Sequence, residues 1–230
     1  SLPLEKVHGC VVMSSTPTAG EFECSHPLVN RLWENALWGQ KGNFLSVPTD
    51  CPQRDERLGW MGDAQVFLRT ATYNMDVAAF FTKWMTDVCD SQDVDGVFPD
   101  VAPRIREGDN FVGLDGLGGS AGWADAGIIV PWTMWRVYGD RRMVERHWDS
   151  MVRGRDWLES ENPAGIRSNK LGNNYGDWLC IPSDTTFRTH SEMKTLLATA
   201  YWADDARKMG QLATLLGKSD EAVRFSAMYE

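Results

Sequence analysis

Residues 42–67 read GNFLSVPTDCPQRDERLGWMGDAQVF, and a change of character within this run organises the rest of the chain. From 43 to 62 there are two prolines, two glycines and no apolar period, which reads as loop. From Asp63 onward Ala64, Val66, Phe67 and Ala71 recur on one face, which predicts a helix over about 63–74. Asp50, Arg54, Asp55, Glu56 and Arg57 lie in the loop beside Trp60. Asp63 opens the helix, where its charge meets the positive end of the helix dipole.

Helical pattern extends to both sides. Ser25 reads as a cap with Pro27 in the first turn, followed by a stripe of Leu28, Leu32, Trp33, Ala36 and Leu37 that ends near Gly39–Gly42. Asp76 caps a helix over roughly 77–90. Further helices are expected at about 122–138, 141–160, 190–216 and 219–230, with Thr189 and Glu192 as a capping box for the third of these. Gly139-Asp140 and Gly217-Lys218-Ser219 are short breaks between helices. The segments 91–120 and 161–188 are long, polar loops. No strand is expected after residue 25. Helical hairpins with alternating short and long connections suit an all-α toroid whose long loops gather at one end.

The first twenty residues differ. LEKVHGCVVM (4–13) reads as one strand and SSTPTAG (14–20) as a linker. A lone strand cannot bury its face, so residues 1–20 are expected to end an upstream sheet domain, with 21–230 forming the front of the helical domain. The closing SAMYE lies in a helical pattern with no C-terminal cap, so the helical domain is expected to continue past residue 230.

Composition narrows the function. The 230 residues carry 32 acids against 23 bases, a formal net charge of −9, which argues against nucleic acid because phosphate binding needs a basic face. No apolar run reaches the roughly 18 residues of a membrane span, and the first residues do not read as a signal peptide. Five cysteines at wide spacings, with no C-x-x-C, argue for reduced, mostly buried thiols rather than a disulfide framework or a zinc site. The compartment stays open. Eleven tryptophans are many, and indoles either pack a core or stack on ligands such as the C–H faces of sugars.

The acid-rich loop has several readings. Glycoside hydrolysis needs one carboxylic acid to protonate the leaving oxygen and a second carboxylate to activate water or attack. Neighbouring acids and an indole wall raise the pKa of the donor, and Glu56 beside Asp55, Asp63 and Trp60 fits that pattern. The same residues also read as a solvated loop with surface ion pairs. Their hard oxygens allow a calcium site, although the spacing is not that of an EF-hand.

The run 42–67 resembles the signature of bacterial and fungal α-L-rhamnosidases of glycoside hydrolase family 78. The likeness continues through GCVVMSSTPTAGEFECSHPLVNRLW (9–33), VFPDVAPR (97–104), SAGWADAGIIVPWTMWRVYGD (120–140), NYGDWL (174–179) and LLATAYWADDARKMGQLATLLGK (196–218), so that it spans nearly the whole chain. The resemblance implies an (α/α)6 six-hairpin toroid, inversion at the anomeric carbon, no cofactor and no catalytic metal. It implies a rhamnose-containing glycoside or polysaccharide as substrate, and an upstream β-sandwich and a downstream segment of the same parent chain as neighbours. By position, Glu56 matches the general acid. Asp50 and Asp63 match acids that hold rhamnose hydroxyls, and Arg54 and Trp60 match residues lining the same pocket. Trp123, Asp125, Asp177 and Trp178 fall in stretches that resemble the site wall. The family's general base is a glutamate beyond residue 230, so none of the acids here is given that role and the isolated chain is expected to be inactive. Rhamnose has a 6-methyl group, so hydroxyl-binding acids should face an apolar wall, for which Trp60 and Trp178 are candidates. Alternatives are another six-hairpin glycoside hydrolase and a non-catalytic carbohydrate-binding protein.

Other motifs carry less. Gly116 to Ala121 matches G-x-G-x-x-A, but no strand precedes it. The four histidines are scattered and expected on helix surfaces or at caps, and no G-x-S-x-G occurs. Trp132 and Trp135, three residues apart on an apolar face, read as core, as does Met193.

Overall fold

The computed structural model describes residues 3–104, 118–169, 175–176, 178 and 191–229. Helix α1 runs Pro27–Asn43 and ends in a two-residue hairpin, β1 (Phe44–Leu45) against β2 (Val47–Pro48). Then follow α2 (Met61–Asn74), α3 (Ala78–Asp90), α4 (Ala126–Tyr138), α5 (Arg141–Glu161), α6 (Ser191–Leu216) and α7 (Ser219–Tyr229). All the helices read from the sequence are present. The 44–48 hairpin corrects the expectation of no strand after residue 25: Ser46 adopts φ 65° at its tip and lets the chain reverse within five residues.

Helix boundaries follow local chemistry. Asp140 accepts from the Met143 amide at 3.2 Å and starts α5. Gly139 ends α4 with φ 68°, a left-handed conformation that side chains resist. Asp76 accepts from the Ala78 amide at 3.1 Å, so it caps α3 from one residue further out than expected. At α1 the N-cap position is His26 rather than Ser25, with Pro27 in the first turn as expected.

Helix α4 is the centre of the fold and packs against α2, α3, α5 and α6. Its sequence AGIIVPWTMWRVY is apolar nearly all round, as a helix enclosed by others must be. One core lies between α2, α3 and α4, with Trp84, Phe81, Met85 and Met61 fully buried. A second joins α4, α5, α6 and α7 around Met151, Met209, Leu212 and Phe225. Trp132 and Trp135 pack against this second core, as the sequence suggests. Phe98, from the long connection after α3, wedges between α4 and α5. A Cβ at Gly127 would stand 2.6 Å from its ring and one at Gly154 2.8 Å, so two glycines make the slot that anchors this loop.

Three sequence expectations change. LEKVHGCVVM is a 3-10 turn at Leu4–Lys6 followed by residues without a ladder, and Val7, Val11 and Val12 are exposed. β-branched residues favour a strand only where a neighbouring strand pairs with them, and none does among the described residues. Leu28 and Leu32 of α1 are exposed too, since no described element covers that stripe. Cys10 is exposed and Cys24, Cys51 and Cys89 are half-buried free thiols, where burial was expected. Cys180, Thr189 and the Glu192 side chain lie outside the described residues. No described helix is long and apolar enough to cross a membrane.

Candidate active site

The acid-rich loop is closed on itself. The Asp50 amide donates to the Leu58 carbonyl at 3.0 Å, and the Leu58 amide donates back to Asp50 Oδ1 at 3.3 Å. Thr49 ties the start of the loop to the end of α1 through the Asn43 carbonyl, at 3.0 Å from its amide and 2.7 Å from its hydroxyl. The far end is fixed to the connection after α3: the Met61 amide donates to Asp100 O at 2.9 Å, and the Ala102 amide to Gly59 O at 2.9 Å. That approach depends on glycine, because a Cβ at residue 59 would lie 2.1 Å from the Ala102 carbonyl oxygen. Trp84 holds the same oxygen with its indole N–H at 2.9 Å.

Glu56 sits inside this closed loop with a side chain only 20% exposed. Its Oε1 accepts from Trp60 Nε1 at 2.9 Å, and its Oε2 meets Nη2 of Arg54. It is therefore held by two different donors and turned away from bulk water. Asp55, next to it, is fully exposed and pairs with Arg57 at 3.4 Å, the surface ion-pair reading of the loop. Asp50, Cys51 and Glu56 each bring one potential ligand atom within 4.8 Å of the others. Arg54 already supplies a positive charge at this spot.

Beside the loop lies a cavity of about 820 Å³ whose wall includes Asp50, Asp63, Gln65, Trp123, Trp178 and Tyr201. Four of the expected site residues thus converge on one cavity. Glu56, Arg54 and Trp60 are not among its wall residues: Trp60 turns its indole to Glu56 instead, and Glu56 approaches the cavity only through Asp50, with oxygens of the two within 4.8 Å. Asp63 is near the start of α2. Partial burial raises its pKa, and the charges of Asp50 and Glu56 add to the rise.

An aromatic cluster joins loop and cavity. Tyr175 lies 6.1 Å from Trp60 in an edge-to-face arrangement, 4.4 Å from Trp123 in a tilted one and 5.5 Å from Trp178 edge-on. Its hydroxyl donates to Asp100 Oδ2 at 3.4 Å. Sequence reading passed over Tyr175, although the run NYGDWL places it two residues from a singled-out acid. Trp123 rests on the first turn of α2, where a Cβ at Gly62 would come within 2.7 Å of its ring.

Asp125 takes a different place from the one expected of a wall residue. It is 3% exposed, and its Oδ1 accepts from Arg167 Nη1 at 2.9 Å while Oδ2 accepts from the Gly122 amide at 2.6 Å. It supports the turn that carries Trp123 and does not line the large cavity. Its surroundings are charged and dry: Arg167, Arg155 and Asp205 are all at most 1% exposed. Burial, with the nearby Asp125 charge, pushes the Asp205 carboxyl well above the usual range. Arg167 also donates to Gly119 O at 2.7 Å, and Asp100 accepts from the Ser120 amide at 3.0 Å and its hydroxyl at 2.5 Å. The turn 119–125 is thus fastened from below by buried ion pairs and hydrogen bonds. Asp177 lies outside the described residues.

Residues 17–230 match the model of the bacterial alpha-L-rhamnosidase 6 hairpin glycosidase domain. An alpha-L-rhamnosidase of Streptomyces avermitilis is 43% identical over 212 residues, which cover 92% of this chain and 19% of that protein. The structure of the alpha-L-rhamnosidase from Dictyoglumus thermophilum superposes with a TM-score of 0.83 at 34% identity, covering 96% of this chain and 23% of that one. The crystal structure of the Streptomyces avermitilis enzyme complexed with L-rhamnose gives 0.81 at 41% identity, covering 94% and 19%. The chain spans about a fifth of the length of the relatives it matches.

Proposed function

The chain belongs to the bacterial alpha-L-rhamnosidase six-hairpin glycosidase family, and from that membership we propose that it is the front of the catalytic domain of an inverting α-L-rhamnosidase in which Glu56 is the general acid. One observation carries the assignment: a carboxyl group, mostly removed from solvent and oriented by an indole N–H, lies within 4.8 Å of Asp50, which lines a cavity walled by acids and tryptophans. In this reading residues 1–20 end an upstream domain, although the family match already takes in residues 17–20.

The chemistry follows from the geometry. A terminal α-L-rhamnosyl group enters the cavity, with hydroxyls on Asp50 and Asp63 and its apolar edge on Trp123 and Trp178. Glu56 protonates the glycosidic oxygen as the bond to the anomeric carbon lengthens, and water attacks from the opposite face with help from a second carboxylate. The Arg54 contact must yield first, because a carboxyl group that gives up a proton cannot keep a cation on the same oxygen. Trp60 stays on Oε1 and keeps the group aimed.

Asp50 does not suit the role of base. An inverting pair stands roughly 6.5–9.5 Å apart to admit a water molecule, whereas oxygens of Asp50 and Glu56 come within 4.8 Å of each other. The base is expected, by family resemblance, beyond residue 230.

Proton NMR on the full-length protein with p-nitrophenyl α-L-rhamnoside tests this reading. The first sugar released should be the β-anomer. Release of the α-anomer would mean retention and a different catalytic pair, and absence of turnover would remove the activity.

A further inference from the structure

Resting on the rhamnosidase reading of this cavity, we propose that Gln65 and Tyr201 form a hydroxyl-recognition pair, one offering an acceptor and the other a donor to a single hydroxyl of the bound sugar.

Both side chains line the 820 Å³ cavity, Gln65 from α2 two residues beyond Asp63 and Tyr201 from α6. Gln65 Nε2 donates to the Gly122 carbonyl at 3.1 Å and to the Tyr201 hydroxyl oxygen at 3.3 Å. Both amide hydrogens are thereby used. That leaves Gln65 Oε1 as an acceptor and the Tyr201 hydroxyl hydrogen as a donor, and neither has a partner among the described residues. A sugar hydroxyl donates one hydrogen bond and accepts others, so it satisfies both groups at once.

The pair is also preorganised. Tyr201 lies against Gly122, where a Cβ would stand 3.4 Å from its ring, and Gly122 adopts φ 81°. Gly122 precedes Trp123, so one amide fixes Tyr201 and the turn bearing the aromatic wall together. Burial raises the pKa of the Tyr201 phenol, and the group keeps its proton at neutral pH. Groups held in place by the protein lose less on binding than groups that must be ordered by the ligand.

The test uses the full-length protein, the variant Tyr201→Phe, and p-nitrophenyl α-L-rhamnoside with its three monodeoxy analogues. Wild-type turnover of the parent rhamnoside is measured first, and its absence overturns the activity reading together with this pair. With turnover in hand, Tyr201→Phe should raise KM about three- to tenfold, the worth of one neutral hydrogen bond, with kcat within twofold. For the analogue that lacks the recognised hydroxyl, wild type and variant should have the same KM. An equal penalty on all four substrates, a loss confined to kcat, or no penalty at all overturns the pair while leaving the activity in place.

Discussion

Trp60 donates its indole N–H to Glu56 across four residues of the loop, at 2.9 Å. The same indole stands edge-on to Tyr175, which touches both Trp123 and Trp178. The residue that aims the acid is therefore packed into the aromatic wall beside the cavity. A displaced wall would turn the Glu56 carboxyl, and under the proposed function that would tie sugar binding to proton delivery.

Glu56→Gln should lower kcat by about 10²–10⁴-fold, the usual contribution of general acid catalysis. The loss should be smaller for a p-nitrophenyl leaving group, which departs without a proton, than for a sugar or alkyl aglycone. Steady-state kinetics on both substrate types, with circular dichroism to verify the fold, provides the check. Turnover near that of the wild type on the alkyl glycoside would remove Glu56 from the role.

Gly59→Ala should destabilise the protein by about 2–3 kcal/mol, because its Cβ meets a backbone oxygen at 2.1 Å and the chain on one side must move. Thermal melts should record a lowered Tm together with weakened activity, since residue 59 anchors the acid loop. A melt that overlays the wild type would mean that the two segments are less closely apposed than described.

Asp125→Asn should cost about 3–5 kcal/mol, the range for leaving one member of a buried ion pair uncompensated. Arg167 is the member left behind, with a side chain 1% exposed. Urea unfolding of Asp125→Asn, Arg167→Met and the double variant measures the coupling. Additive losses would show that the two residues do not act as a pair.

His147 gives a signed pH effect. It is 5% exposed, and burial, reinforced by neighbouring Arg146 and opposed by Asp90, lowers its pKa from 6.5. The unfolded chain then binds a proton that the folded chain refuses, so stability is lost as the pH falls below about 6.5 toward the lowered folded value. The stability difference between wild type and His147→Leu should be constant above that pH and move against the wild type below it. A difference that stays flat down to pH 5 would place His147 in a more hydrated setting.

Much of this architecture can be read locally. Apolar period, Asp140, Gly139 and the Gly217 break mark the helices because each acts within a turn or two of chain. The site loop is legible through its density of charge, and the resemblance it carries singles out four residues that share one cavity. What stays hidden depends on distant partners. Leu28 and Leu32 form an apolar stripe whose burial no local rule can decide. Asp125, Arg155, Arg167 and His147 have side chains that normally face water, and only the packing of α4, α5 and α6 encloses them. Tyr175 becomes the centre of the aromatic cluster through contacts with residues up to 115 positions away.

The buried charges under the turn 119–125 also bear on working conditions. Dissolved salt weakens ion pairs that solvent can reach, within a screening length of about 8 Å at physiological ionic strength. Ions cannot reach the Asp125–Arg167 pair, whose side chains are 2% and 1% exposed. The platform under Trp123 should hold its shape in brine that dissolves the Asp55–Arg57 contact on the rim, which makes the two faces of this loop region differ in their tolerance of saline media.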